Sequence, residues 1–192
     1  MNAPHLIIVG GPNGCGKSTF AIEHAKETGI RYVGADQIAY QLDQDNPTSV
    51  KIEASRQFVS TIRQSIENRD SLVIESTLAG KSLRKTINDA KSVGYRVSIV
   101  FVFLDSEDTC IERVHQRVLL GGHDVPETDI RRRYSRAIVN FWSIYRLLAD
   151  FWLLVYNSDL RPENVAFGTA QNTIIQNHHL FELFKLTADT ND

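Results

Sequence analysis

The chain has 192 residues, 42% of them apolar and 23% charged, with a formal net charge of −2. That length suits one domain whose core needs no covalent staples, and the near-neutral balance gives no global field for nucleic acid or an anionic lipid surface. No apolar run is longer than that from Ile99 to Leu104, which is far too short to span a bilayer. Met1-Asn2-Ala3-Pro4-His5 has neither the charged nor the long apolar region of a signal peptide.

Taken in order, Leu6-Ile7-Ile8-Val9 predicts a first strand. Gly10 to Thr19 follows, reading GGPNGCGKST, and a helix is expected from about Lys17 to Thr28, stopped by Gly29. Ile30 to Asp36 predicts a short buried strand ending in a carboxylate, and Asp43 to Thr48 a polar loop. Ile52, Phe58, Val59, Ile62 and Ile66 recur at helical spacing and predict a long helix with these as its apolar residues. Leu72-Val73-Ile74 predicts a fully apolar strand ending at Glu75-Ser76-Thr77, and Ser82 to Val93 a helix ended by Gly94. Val97 to Leu104 is the most apolar strand and is placed near the middle of the sheet.

Ser106 opens the next helix, with Glu107 and Asp108 in its first turn as the dipole favours. Ile111, Val114 and Val118 share one face of it, and it ends near Gly121-Gly122. His123-Asp124-Val125-Pro126 leads into a second long helix from about Glu127, with Ile130, Tyr134, Ile138, Phe141, Tyr145 and Leu148 three or four apart. Trp152 to Tyr156 is a last core strand, ending at Asn157-Ser158. The tail predicts a small hairpin, Asn164 to Phe167 against Thr173 to Gln176, and a short helix from His179 to Leu186. Strands alternating with helices mean an α/β fold. The expectation is a three-layer α/β/α P-loop NTPase fold with a mainly parallel five-stranded sheet, a helical lid at about 106–149, and a small C-terminal hairpin and helix. Residues 1–192 form one domain on this reading.

Gly11, four residues, then Gly16-Lys17-Ser18 fits the P-loop pattern, and strand, glycine loop and helix come in the order that supports it. Gly11, Pro12, Asn13, Gly14, Cys15, Gly16, Lys17, Ser18 and Thr19 are therefore the expected nucleoside triphosphate cradle. Backbone N–H groups and the helix N-terminus receive the phosphates. Lys17 reaches the β- and γ-phosphates, and Ser18 ligands Mg²⁺. Cys15 reads as a small filler pointing away from the ligand. A disulfide there would block the phosphates, so the two cysteines suit a reducing cytoplasm.

In parallel α/β sheets ligands sit at the carboxyl ends of the strands. Asp36, nineteen positions after Lys17, is placed there to take a proton from a substrate hydroxyl or to hold Mg²⁺ through water; a helix N-cap is the plain structural alternative. Glu75 with Ser76 and Thr77 makes a site for a polyol or sugar, or a capping cluster for the following helix. Asp105 matches a Walker B aspartate in position but is explained as well by the turn into the next helix. Arg113, Arg117, Arg131, Arg132, Arg133 and Arg136 flank the Gly121-Gly122 loop. A lid built that way can deliver guanidinium groups to a phosphate, with Arg113 or Arg117 favoured and the others at the surface. His123 reads as a turn residue. His178-His179 has no matching ligands elsewhere. Asn157 and Ser158 either border the adenine edge or simply turn the chain.

These pieces together resemble the zeta-toxin family of P-loop kinases. The matching segments are GGPNGCGKST at 10–19, Tyr-Val-Gly-Ala-Asp at 32–36, Leu-Val-Ile-Glu-Ser-Thr-Leu-Ala-Gly at 72–80, Ile-Glu-Arg-Val-His-Gln-Arg-Val at 111–118, and Gly-Gly-His-Asp-Val-Pro-Glu at 121–127 with Arg-Arg-Tyr at 132–134. The resemblance implies transfer of the ATP γ-phosphate to a small-molecule hydroxyl, best known as the sugar 3′-hydroxyl of UDP-N-acetylglucosamine. By position it makes Asp36 the base, sets Glu75 and Thr77 at the substrate, and gives Lys17 and Arg113 the phosphates. The family's second lid arginine falls to Arg117 or Arg133, since His123 or Asp124 stands nearest the lid proline. It also implies a small antitoxin protein as a candidate partner; charge and composition, for their part, predict no nucleic-acid or membrane partner. A kinase of another sugar, nucleoside or antibiotic hydroxyl, and an ATP-driven switch, are the rival readings.

Overall fold

A computed structural model describes residues 3–122, 124–157 and 161–189. Seven strands form one sheet in the order β2-β3-β1-β4-β5-β6-β7. They are β1 (His5–Gly10), β2 (Arg31–Val33), β3 (Leu72–Ser76), β4 (Arg96–Phe103), β5 (Phe151–Asn157), β6 (Pro162–Gly168) and β7 (Thr173–Ile175). The first five run parallel; β6 and β7 are antiparallel to their neighbours. Leu6 to Val9, Leu72 to Ile74 and Ile99 to Phe103 are buried without a break. Continuous burial is what a parallel strand covered by helices on both faces requires. β4 lies fourth of seven, the central place its composition asks for.

The tail hairpin corrects the five-strand expectation. It extends the same sheet, with β6 pairing β5 from Trp152↔Gly168 to Asn157↔Pro162. Without it β5 would present a row of unpaired backbone groups at a sheet edge, and Val165 and Ala166 are buried by the pairing.

The helices are α1 (Lys17–Thr28), α2 (Ala35–Leu42), α3 (Lys51–Asn68), α4 (Leu83–Ser92), α5 (Glu107–Leu119), α6 (Glu127–Asn140), α7 (Arg146–Leu148) and α8 (His178–Ala188). A π-helical turn, Phe141–Tyr145, joins α6 to α7. Gly29 ends α1 at φ 69°, and Ser106 Oγ caps α5 by accepting from Thr109 N–H at 3.1 Å. Two of the apolar residues assigned to α3 are not inside: Ile52 is 71% and Val59 53% exposed. Ala54, Phe58, Ile62, Ser65 and Ile66 make the inward stripe at intervals of three and four; Ile52 and Val59, seven apart, lie on another flank. Val118 is likewise exposed near the end of α5.

An aromatic cluster locks α8 and the π turn onto β4. Phe101 stacks on Phe141 with centroids 4.3 Å apart, and Phe184 meets Phe103 edge-on at 5.2 Å. On the other side of β4, Gly10 of β1 pairs with Ser76 of β3, and Val33 of β2 with Ile74. The carboxyl ends of β1 and β3 are thus level, and β2 ends beside them two residues earlier. The strand order reverses at β1, the switch point where open α/β sheets bind ligands. No helix among the described residues is long and apolar enough to cross a membrane.

Candidate active site

The glycine loop between β1 and α1 is shaped by what stands behind it. Gly14 and Gly16 have φ of 82° and 93°, a region L side chains avoid. A Cβ on Gly14 would collide with the Cys110 carbonyl oxygen, and one on Gly16 with the Asn157 amide nitrogen. The N–H groups of Gly14, Cys15 and Gly16 have no acceptor among the described residues. Lys17 Nζ donates to the Pro12 carbonyl at 2.7 Å, holding its charge inside the loop. Ser18 and Thr19 are exposed at the start of α1, with the Ser18 hydroxyl available to an ion. Open N–H groups, a lysine across the loop and a free hydroxyl fit a polyphosphate with Mg²⁺. Cys15 is fully buried, and burial pushes its thiol up, as it does that of Cys110. Both are free thiols.

Asn157, left open between adenine edge and turn, clamps this loop. Its Nδ2 donates to the Cys15 carbonyl at 2.8 Å, and its own carbonyl accepts from Arg113 Nη2 at 2.9 Å. The sequence signal was a polar residue at the carboxyl end of the last parallel strand; its partner, 142 positions away, is set by the fold. Ser158 and His123 lie outside the described residues.

Asp36 is the second residue of α2, after Gly34 as N-cap. It is therefore not the cap, but it stands in the first helical turn where the dipole favours a carboxylate. It opens onto two cavities. One, about 190 Å³, is lined by Asn13, Asp36, Lys51, Val125, Asp129 and Arg133. The other, about 400 Å³, brings Asp36 together with Tyr40, Asn46, Lys51, Gly121 and Gly122. Asn13 Oδ1 is buried without a partner. Lys51, which reaches both cavities, was missed from sequence because a single lysine at a loop-to-helix junction looks like ordinary surface.

Glu75 stands opposite Val9 in the β1–β3 register, beside the base of the glycine loop. Its Oε2 is buried and has no hydrogen-bond partner. Burial first, then the Glu75 carboxylate, pushes the Tyr32 phenol up, so tyrosine and glutamate face each other. Ser76 Oγ accepts from Leu78 N–H at 3.2 Å and Thr77 Oγ1 from Ala79 N–H at 3.4 Å. Each hydroxyl still has a proton to donate. Glu75, Ser76 and Thr77 do not line the two Asp36 cavities. Leu78 is held at φ 56°, and the loop around it is pinned by Asn140 Nδ2 to the Leu78 and Ala79 carbonyls, both at 3.0 Å, and by Tyr145 OH to Gly80 at 2.6 Å.

The arginines separate by environment. Arg113 is half-buried against Asn157. Arg117 is exposed, with Gly122 folded onto its carbonyl at 2.9 Å. Arg133 pairs with Asp129 at 2.9 Å at the smaller Asp36 cavity. Arg131 pairs with Glu107 and Asp108, Arg132 with Asp129, and Arg136 is exposed. Asp105 is exposed and accepts from Thr109 Oγ1 at 2.9 Å, the arrangement of a turn into α5.

A protein-family model described as an AAA domain matches residues 6–137, more than half of the chain. The chain belongs to this AAA-domain family. An uncharacterized protein of Haemophilus influenzae is 30% identical to this AAA-domain protein over 124 residues, which is 65% of this chain and 88% of that one. The AvrRxo1-ORF1:-ORF2 structure with ATP matches at TM-score 0.73 and 18% identity over 98% of this chain. The chain spans 65% of that protein's length, less than two thirds of it. A structure from the PezAT chromosomal toxin-antitoxin system of Streptococcus pneumoniae matches at TM-score 0.66, with 19% identity over 96% of this chain and 80% of the other. A gluconokinase from Sinorhizobium meliloti 1021 matches at 0.53, with 17% identity over 81% and 84%. The AAA-domain protein has a P-loop NTPase fold.

Proposed function

We propose that this AAA-domain protein is an ATP- and Mg²⁺-dependent small-molecule kinase of the zeta-toxin type. It transfers the γ-phosphate of ATP to a hydroxyl of a sugar nucleotide, for which UDP-N-acetylglucosamine is the first acceptor to try. One observation carries the reading. Asp36, Asn13 of the glycine loop and Arg133 of α6 line a single cavity, so a hydroxyl resting on Asp36 lies between the phosphate loop and the lid.

The roles follow from position. Asp36 accepts the hydroxyl proton while the acceptor oxygen bonds to the γ-phosphorus and the bond to the β-phosphate oxygen breaks, releasing ADP. Lys17 exchanges the Pro12 carbonyl for phosphate oxygens. Arg113, with Arg117 or Arg133, adds positive charge as negative charge spreads over the transferring group. Mg²⁺, held through Ser18 and the phosphates, would neutralise charge between the β- and γ-groups. Glu75, with Ser76 and Thr77, orients the acceptor from the β3 side. The same residues suit a cytoplasmic enzyme, and the toxin–antitoxin context of a structural neighbour supports a small antitoxin as partner.

The test is a transfer screen by mass spectrometry with ATP, Mg²⁺, UDP-N-acetylglucosamine and a panel of sugars and nucleotides. A mass gain of one phosphate on an acceptor supports the reading and names the acceptor. ADP formed at the same rate with and without every acceptor contradicts it and favours an ATPase switch.

A further inference from the structure

We propose that Asn157 is a positioning residue that turns the Gly16 N–H toward the bound phosphates and ties the phosphate loop to Arg113. The inference rests on the nucleotide half of the reading above and not on the acceptor. The Cys15–Gly16 peptide is planar and trans, so its C=O and N–H point in opposite directions. Asn157 Nδ2 holds the Cys15 oxygen at 2.8 Å. With that oxygen drawn to the Asn157 side, the Gly16 N–H is aimed away from Asn157, and it has no acceptor among the described residues.

The fit is close. A side chain on Gly16 would run into the same Nδ2, so the amide fills the room that only glycine leaves. The carbonyl of Asn157 accepts from Arg113 Nη2 at 2.9 Å. One residue at the end of β5 therefore orients a donor of the phosphate loop through its side chain and an arginine of α5 through its backbone. A peptide flip at Cys15–Gly16 would replace a phosphate donor with a carbonyl oxygen, which repels the anion.

The experiment measures the dissociation constant of ATP by calorimetry for the full chain and for Asn157→Asp, Asn157→Ala and Asn157→Ser, with thermal midpoints in parallel. Asn157→Asp keeps the size but sets an acceptor against the Cys15 oxygen. It weakens ATP by about tenfold or more, the scale of one hydrogen bond to a charged group. Asn157→Ala, which adds no charge, weakens ATP by a smaller factor in the same direction. Asn157→Ser serves at low temperature should either be too unstable to measure. A lowered midpoint with wild-type ATP affinity means a structural role only and overturns the proposal. Wild-type protein that binds ATP but phosphorylates no acceptor defeats the kinase reading and leaves this one standing. Wild-type protein that does not bind ATP overturns both.

Discussion

In the proposed reaction Asp36 is the general base, and its place in the first turn of α2, opening onto two cavities, supports that role. Asp36→Asn keeps the shape and removes the proposed base. Phosphoryl transfer is expected to fall by about 10² to 10⁴, the usual worth of a positioned general base, with ATP affinity nearly unchanged; initial rates and calorimetry check both halves. His5, far from the site, sets a pH dependence of stability. Burial first, then Arg96, lowers its pKa below the ordinary 6.5. The folded chain thus holds this proton less readily than the unfolded chain. Its contribution is complete above about pH 6.5 and is lost as pH falls through that value toward the lower folded one. Thermal midpoints from pH 8 to 5 should show the decline, and His5→Asn should flatten that part of it. Lys17, Asp36 and Glu75 were legible in the sequence because each follows an apolar run that reads as a parallel strand. Asn157 was legible only as a candidate with two readings, and Lys51 and Tyr32 were not legible at all, because their meaning comes from partners far off in the chain.

The phosphate loop and the π turn show how elements hold the site. Gly14 sits at φ 82° against the Cys110 carbonyl. Gly14→Ala is expected to cost roughly 1–3 kcal/mol in stability, the range of a residue forced into a strained region, and to abolish tight ATP binding. Chemical denaturation and calorimetry measure these separately. At the far end of α6, buried Asn140 satisfies the carbonyls of Leu78 and Ala79. Removing it leaves polar groups without partners, at about 1–3 kcal/mol. Asn140→Ala should therefore lower the unfolding free energy measured in urea by that much and raise the acceptor KM more than the ATP KM, since the loop it pins follows Glu75 to Thr77. The π turn was invisible to periodicity. Phe141 and Tyr145, four apart, fit an α-helix equally well, and only the backbone hydrogen bonding of Phe141–Tyr145 separates the two.

At the scale of the molecule one aromatic cluster couples the tail to the centre of the sheet. Phe184 of α8 is 1% exposed and touches Phe101, Phe103, Phe141 and Trp142. Phe184→Ala should cost about 3–5 kcal/mol, with circular dichroism and tryptophan fluorescence reporting the same lowered midpoint. The five parallel strands could be read from sequence because continuous apolar runs such as Ile99 to Leu104 leave few alternatives. Their neighbour order, and the joining of the hairpin to β5, depend on long-range pairing that no local pattern records. The lid arginines were legible as a cluster, yet their separation into Arg113 at the loop, Arg133 at the cavity and Arg131 in surface ion pairs follows from how α5 packs on α6.

In the proposed function ATP turnover serves transfer from the phosphate loop to a hydroxyl held by Asp36. The most direct measurement is ADP release by wild type and Asp36→Asn, each with and without the acceptor found by the screen. Release is expected to depend on acceptor in the wild type, to be matched mole for mole by phosphorylated product, and to be absent in Asp36→Asn. Equal release in all four arms would contradict it.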